Sequence, residues 1–521
     1  MRWVLVLLFA IACGHPPSPR PPTTSPGQVH RAIATTSPEA QRHFDLGLAH
    51  AYGFNFDAAK QEFEEALAAD PACAMCTWGL SYAAGANINE REKRWPDAFE
   101  NARKAVSLAN DPVERALALA LVTRYADPSA ENANGYATAL QAITRAHRDD
   151  TDAAILFVEA TMLTVPIGAP YWSGWPRPEM RDAQSQLERV LARSPNHIGA
   201  IHFYIHLMED SPDIGLAIPY ADKLAGLAPE AGHLIHMASH LYLRVGRYAD
   251  AEDANRMAIA ADAEMVMRLP ADATYTKFAM HPKHFLWHTL LWEGARTEAK
   301  KVAAELAPHL RHMAMDVKQP LGLDAMVSAF TAVRFSDWDN ALALEIPTTP
   351  VGALATHYAR GLALVAKGRI AEARQDLEFL KSATFENAPG GYPPRLRAVS
   401  LIAASQLNAA ITLAGNDPDH ALDMMQFAAQ QEDKLDNPLE PRMWIFSSRE
   451  RLGALFLKLG RNQEAADAFR SDLNLHPENG WSLFGLMTAL EALHDPQAPA
   501  IRARFQKAWA RSDFELRPDL L

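Results

Sequence analysis

The chain has 521 residues, 49% of them hydrophobic and 21% charged, which suits a large folded body and excludes a disordered chain. A net charge of −12, with no basic stripe, argues against nucleic acid and anionic membrane surfaces as partners.

Met1–Ala12 has the form of an export signal, with Arg2 as the charged start and Trp3–Ile11 as an apolar run too short to span a membrane. Ala10-Ile11-Ala12-Cys13 is similar to a bacterial lipobox, with Ala10 where Leu is usual, and makes Cys13 the expected acylated residue. Ordinary cleavage after Ala12, releasing a soluble form, is the alternative. Residues 13–36 read as a Pro-rich tether between an anchored Cys and a folded body. The expected location is the bacterial cell envelope, with the membrane reached only through the lipid anchor. In that oxidising setting Cys73 and Cys76 are a disulfide or metal candidate, or else two small buried residues at a helix start.

From residue 37 to 521 the pattern is helical: Ala-rich stretches with apolar residues at i, i+3, i+4 and i+7, broken by Gly, Pro and Asp/Asn, without strand alternation. The segments repeat. Gly47, Ala59, Phe63 and Pro71 are spaced by 12, 4 and 8, as are Gly453, Ala465, Phe469 and Pro477. Gly361, Ala373 and Leu377 keep the 12 and 4, as do Ser239, Ala251 and Asn255. Turn signals fall between the paired helices at Gly53-Phe54-Asn55, Gly246-Arg247, Gly368-Arg369 and Gly460-Arg461.

This spacing resembles the tetratricopeptide repeat, a helix–turn–helix of 34 residues in which small residues at positions 8 and 20 admit close helix approach and an aromatic at 24 fills the gap. A wider likeness to large bacterial tetratricopeptide proteins rests on Tyr52-Gly53-Phe54-Asn55, Cys73-Ala74-Met75-Cys76, His233–Gly246 and Asn479–Gly485. The resemblance implies an all-α superhelical solenoid with irregular insertions and no sheet. It would have eighteen to twenty-four helices, and the first helix of the last full unit would run from near Ile445 to Lys458. Loops are expected at Tyr171–Pro178, Leu269–Tyr275 and Glu386–Pro394. C-terminal units are expected at about 353–515.

The central units, about 197–312, hold 11 of the 20 histidines. His202, His206 and Glu209 share one helix face, His233, His236 and His240 another, and His281, His284 and His288 a third. In repeat register the eight histidines take positions 2, 5 and 9 of three successive first helices. The resemblance places those positions on the concave groove.

Neutral imidazole is the commonest metal ligand, so the eight are candidates for a transition metal, zinc or copper, with Glu209 as a further ligand or a general base. Three functions follow. One is a binding scaffold that holds a peptide, protein or small ligand in its groove and also binds metal. Another is a metal-dependent enzyme, hydrolytic or oxidative. The third is a plain scaffold in which the histidines form a polar interhelix network.

Overall fold

The computed structural model describes residues 27–90, 97–127, 130–165, 171–172, 175–267, 279–315, 321–386, 392–435 and 444–521. The signal segment, Cys13, most of the tether and the loop Leu269–Tyr275 lie outside them. The architecture is all-α, with 24 α-helices among the described residues.

The first twelve are α1 (Pro38–Tyr52), α2 (Phe56–Ala69), α3 (Ala74–Ala83), α4 (Ala98–Leu108), α5 (Pro112–Arg124), α6 (Ala133–Ala146), α7 (Thr151–Leu163), α8 (Pro178–Arg193), α9 (Ile198–Met208), α10 (Ile218–Leu227), α11 (Gly232–Arg244) and α12 (Tyr248–Val266). The second twelve are α13 (His281–Trp292), α14 (Arg296–Met315), α15 (Leu323–Arg334), α16 (Trp338–Ala343), α17 (Pro350–Ala366), α18 (Ile370–Ser382), α19 (Tyr392–Ala414), α20 (Pro418–Glu432), α21 (Ser448–Lys458), α22 (Asn462–Leu475), α23 (Gly480–Ala492) and α24 (Ala498–Ala508). Consecutive helices pack on one another along the chain, as a solenoid requires. The expected helix from near Ile445 starts at Ser448, because the Ser447 side chain caps its first turn by accepting from the Glu450 amide.

One turn recurs inside the helical hairpins. A residue with φ near −90° to −100° ends the first helix, and the next residue is left-handed: Phe54, Gly246, Gly294, Ser336, Gly368, Asn416, Gly460 and His494. The amide after it donates back five residues, as in Asn55 N to His50 O at 3.0 Å and Arg247 N to Tyr242 O at 2.8 Å. This Schellman closure satisfies carbonyls that a helix end leaves open.

Within the hairpins the small–aromatic pattern packs as its spacing predicts. A Cβ added at Gly47 or Gly79 would meet the Phe63 ring at 2.6 and 2.5 Å, and one at Gly453 or Gly485 would meet Phe469 at 2.8 and 2.1 Å. One phenylalanine thus fills the groove between two first helices in both end units.

The chain does not stay open. In the first half α9 returns to pack on α1 and α7. Tyr52 Oη donates to Asp152 at 2.7 Å, and Arg31 donates to Asp150 at 2.7 Å. In the second half the Trp481 indole donates to Leu291 O at 3.1 Å, Ser512 donates to Gly294 O at 2.9 Å, and Arg334 pairs with Glu450 at 2.5 Å, all across long stretches of sequence. The larger apolar cores divide the same way, one ending at Ala254 and another starting at Leu286. α11, α12 and α13 form the seam between the halves.

Three details differ from expectation. Residues 27–36, read as tether, lie against the body: Ala34 N donates to Glu114 at 2.7 Å and Thr35 Oγ1 to Asp70 at 2.6 Å, because the Asp and Glu residues of the neighbouring helices bind this strip. Inside the expected loop Tyr171–Pro178, Tyr171–Trp172 pairs with Trp175–Pro176 as a minimal antiparallel ladder, β1 and β2, so the body is not wholly free of sheet. Pro394–Ala414 is long and apolar enough to cross a membrane, with mean hydropathy 1.3, where the sequence reading expected the membrane to be reached only through the lipid anchor. It packs on α17, α18 and α20 inside the second half, as a core helix does.

Candidate metal centre

α9 and α11 owe their sequence to burial on nearly all sides. Every residue from Ile198 to Met208 is buried, as is every residue from Gly232 to Tyr242. A histidine on such a helix has no water to turn to, so its ring nitrogens must find partners inside the protein.

The eight candidate histidines do not all meet. Six form two trios, His202, His206 and His233 in one and His236, His240 and His281 in the other, with one nitrogen of each ring within 4.8 Å of the others in its trio. His284 instead stacks on Trp287, with ring centroids 5.5 Å apart, and His288 accepts from the Trp292 indole at 3.3 Å. Nor do the trios line an open groove. His202 is fully buried because the α1–α2 turn closes over α9, and His236 because α13 packs against α11. His281 is half-buried.

Hydrogen bonds fix two of the tautomers. His202 Nδ1 lies 2.6 Å from Tyr52 O, a carbonyl that can only accept, so the proton is on Nδ1 and Nε2 carries a lone pair. His236 Nδ1 lies 2.7 Å from Asn255 Oδ1. The Asn255 amide donates to Ala251 O at 2.8 Å, which orients its oxygen toward the imidazole. His236 Nε2 is therefore also a bare lone pair. His240 Nδ1 lies 3.2 Å from Glu209 Oε2. His240 Nε2 lies 3.0 Å from His236 Nε2, which accepts from it in the Nε2–H tautomer of His240 and shares a cation with it in the other. In the first trio His202 Nε2 lies 3.1 Å from His233 Nε2, and His206 Nε2 is buried without a hydrogen-bond partner. Two nitrogens on one tetrahedral zinc, at about 2.0–2.1 Å each, would sit about 3.3 Å apart. One pair in each trio is close to that spacing, His202–His233 at 3.1 Å and His236–His240 at 3.0 Å, and the third ring lies within 4.8 Å.

Burial, and then the neighbouring imidazoles, hold His202, His233, His236 and His281 far below the ordinary histidine range, so they are neutral at pH 7, the form that ligates metal. Glu209 stands at the end of α9 between the trios, with Oε1 3.6 Å from His206 Nδ1 and Oε2 3.2 Å from His240 Nδ1. Burial pushes its carboxyl up, but hydrogen bonding to His206 and His240 outweighs this and keeps it ionised. The gathered ligand sets do not include Glu209, whose oxygens face Nδ1 of His206 and of His240.

Two further residues escaped the sequence reading. Phe54 lies against all three rings of the first trio, at 4.4 Å from His202, 5.8 Å from His206 and 5.4 Å from His233. Phe285 does the same in the second, at 4.7 Å from His236, 4.4 Å from His240 and 4.9 Å from His281. The signal for Phe54 was its place at a left-handed turn position that Gly takes in three of the turns read from sequence. Phe285 carried no signal of its own.

Cys73 and Cys76 form a disulfide at the start of α3, buried, with Cα atoms 5.3 Å apart. The pair thus belongs to the packing of the first hairpins and takes no part in the histidine cluster.

Residues 40–73 match the family model described as Tetratricopeptide repeat. Among solved structures, the P58(IPK) TPR domain is 12% identical, with 88% of this chain and 99% of that one covered and a TM-score of 0.24. The APC/C hetero-tetramer Cut9–Hcn1 is 14% identical over 92% and 75%, with a TM-score of 0.29. The human IFIT1 dimer with PPP-AAAA is 15% identical over 75% and 73%, with a TM-score of 0.30. No curated protein matches the chain.

Proposed function

We propose that this protein is a cell-envelope scaffold of tetratricopeptide type that holds a transition metal, zinc or copper, in its buried imidazole cluster. The observation that supports this is the pair of trios, each of which brings one nitrogen of three rings within 4.8 Å of one another, with Nδ1 of His202 and of His236 held by an acceptor so that their Nε2 lone pairs face the trio. Burial keeps these imidazoles neutral, the form that ligates a cation.

A metal bound only by the folded chain stabilises it by RT ln(1 + [L]/Kd), about 2.7 kcal/mol at 100 times Kd. Untagged, metal-stripped protein should melt at a higher temperature with Zn²⁺ or Cu²⁺ than without. The double variant His236→Ala with His240→Ala should lose most of that gain. A wild type indifferent to Zn²⁺, Cu²⁺, Ni²⁺ and Mn²⁺ would return the cluster to a polar interhelix network and leave the plain scaffold.

An enzyme is the second reading, because three imidazoles on one ion leave a coordination position open for water or substrate. Its opening would be on the half-buried His281 side. For a protein or peptide partner, the cleft of about 450 Å³ lined by Gln406, Arg451, Lys458, Asn462 and Leu521 is the better-placed surface. Anchoring through Cys13 is part of the proposal. A fatty-acid analogue should label the wild type and not Cys13→Ser.

A further inference from the structure

The two trios are built alike. Each takes a pair of histidines four residues apart from one first helix and a single histidine from the start of the next. The pairs are related by one repeat: His202 to His236 and His206 to His240 are both steps of 34 residues. The third members, His233 and His281, head α11 and α13 and close their trios across adjacent helices. Each trio has its own phenylalanine against all three rings, Phe54 or Phe285. Each has one ring locked through Nδ1, His202 by Tyr52 O and His236 by Asn255. Glu209 alone is common to both.

We infer that the cluster is a two-ion centre: one transition-metal ion in each trio, with Glu209 as the shared carboxylate that orients His206 in one and His240 in the other. This rests on the metal-binding reading above and specifies its stoichiometry and its wiring. The same construction explains why His284 and His288 stay outside. They are the next pair four residues apart, but α15 contains no histidine to complete a third trio.

Glu209 is a positioning residue. Its carboxylate lies beside two Nδ1 atoms, 3.6 Å from that of His206 and 3.2 Å from that of His240, and its charge there favours a proton on each Nδ1 and so a lone pair on each Nε2. Loss of such a partner typically weakens metal affinity by about 10–100-fold. Because the partner is shared, Glu209→Gln should weaken both sites by that order, whereas Asn255→Ala should weaken the second site more.

The test is elemental stoichiometry and competitive titration on the untagged full chain, stripped and then reloaded with Zn²⁺ or Cu²⁺ alone. Two ions per chain are expected for the wild type. One is expected for His202→Ala and one for His281→Ala, and none for the two combined. His202→Gln and His281→Gln, which preserve most of the side-chain volume, are run beside them, and far-UV circular dichroism checks that each variant is folded. One ion per chain, lost entirely on either substitution, would mean a single site spanning both trios. That result would overturn the two-ion centre while leaving metal binding intact. No ion in the wild type would remove both. Two ions that survive the combined substitution would place them elsewhere and overturn the assignment.

Discussion

Phe54 shows how one residue can be set against its own backbone. It occupies the left-handed position of the α1–α2 turn with φ 57°, where Gly246, Gly368 and Gly460 stand in equivalent turns. A bulky side chain there costs on the order of 1–3 kcal/mol. Phe54 is only 4% exposed and its ring walls the first trio, so burial outweighs the strain. Phe54→Gly should therefore destabilise the chain by about 2 kcal/mol despite its easier backbone, since truncating a buried Phe costs roughly 3–5 kcal/mol. The same change should weaken metal at the first trio more than at the second. Equal loss at both in isothermal titration would deny Phe54 a local role.

A second residue gives the stability curve a slope. Glu159 is fully buried and accepts from Tyr82 Oη at 2.5 Å, and burial, partly offset by Arg124, raises its pKa from 4.5 to about 7. Below pH 4.5 folded and unfolded chains both hold this proton. Between pH 4.5 and about 7 only the folded chain holds it, so stability falls as pH rises through that window, by on the order of 3 kcal/mol in total. Glu159→Gln cannot ionise and should flatten that part of the slope. Urea melts at pH 4.5 and 7.5 compare the two, and parallel slopes would refute the assignment.

At the scale of the element, the spacing of small and aromatic residues was readable because it follows from helix geometry. A small residue twelve before an Ala, with a Phe four residues past that Ala, implies close helix approach, and Phe63 and Phe469 each contact two glycines. Gly485→Ala should cost about 1–3 kcal/mol by overpacking Phe469, more than the roughly 1 kcal/mol that helix propensity returns. Gly226→Ala in α10, where an added Cβ meets nothing within 4 Å, should instead stabilise by about 0.5–1 kcal/mol. Opposite shifts in the urea midpoint are the expected result.

Half of the recurrent turns escaped the sequence reading, since Ser336, Asn416 and His494 take the left-handed position without the glycine that marks it, and Gly294 was passed over. Helix periodicity placed each set of histidines on one face of its own helix. It could not say which neighbour would bring a third ring to each pair, and so did not separate His284 and His288 from the rest.

For the whole molecule, closure was the part that local pattern could not reveal. It depends on contacts such as His202 to Tyr52 and Trp481 to Leu291, separated by 150 and 190 residues, and no periodicity links them. The C-terminal segment completes the second half: Arg511 donates to Glu252 at 2.7 Å and Asp253 at 2.8 Å, and Trp509 and Phe514 pack on Trp481. Removing residues 509–521 should leave the first half protected and speed amide exchange at the end of α13, because Gly294 O loses Ser512 and the Trp481 ring on Leu291 loses Trp509 and Phe514. Uniform protection after truncation would show that the seam does not depend on this segment.

The turn that seats Tyr52 O on His202 is also the contact through which α1 and α9 shut the first half. On the proposed reading, an ion held behind it would be governed by a latch. Capture belongs to the moment when the helices come together, and escape has to wait until they part again. Residence time would then follow the clock of helix separation and be nearly indifferent to the concentration of competing chelators, so a tightly folded chain could keep an ion it binds only modestly, and a loosened one could surrender an ion it binds well.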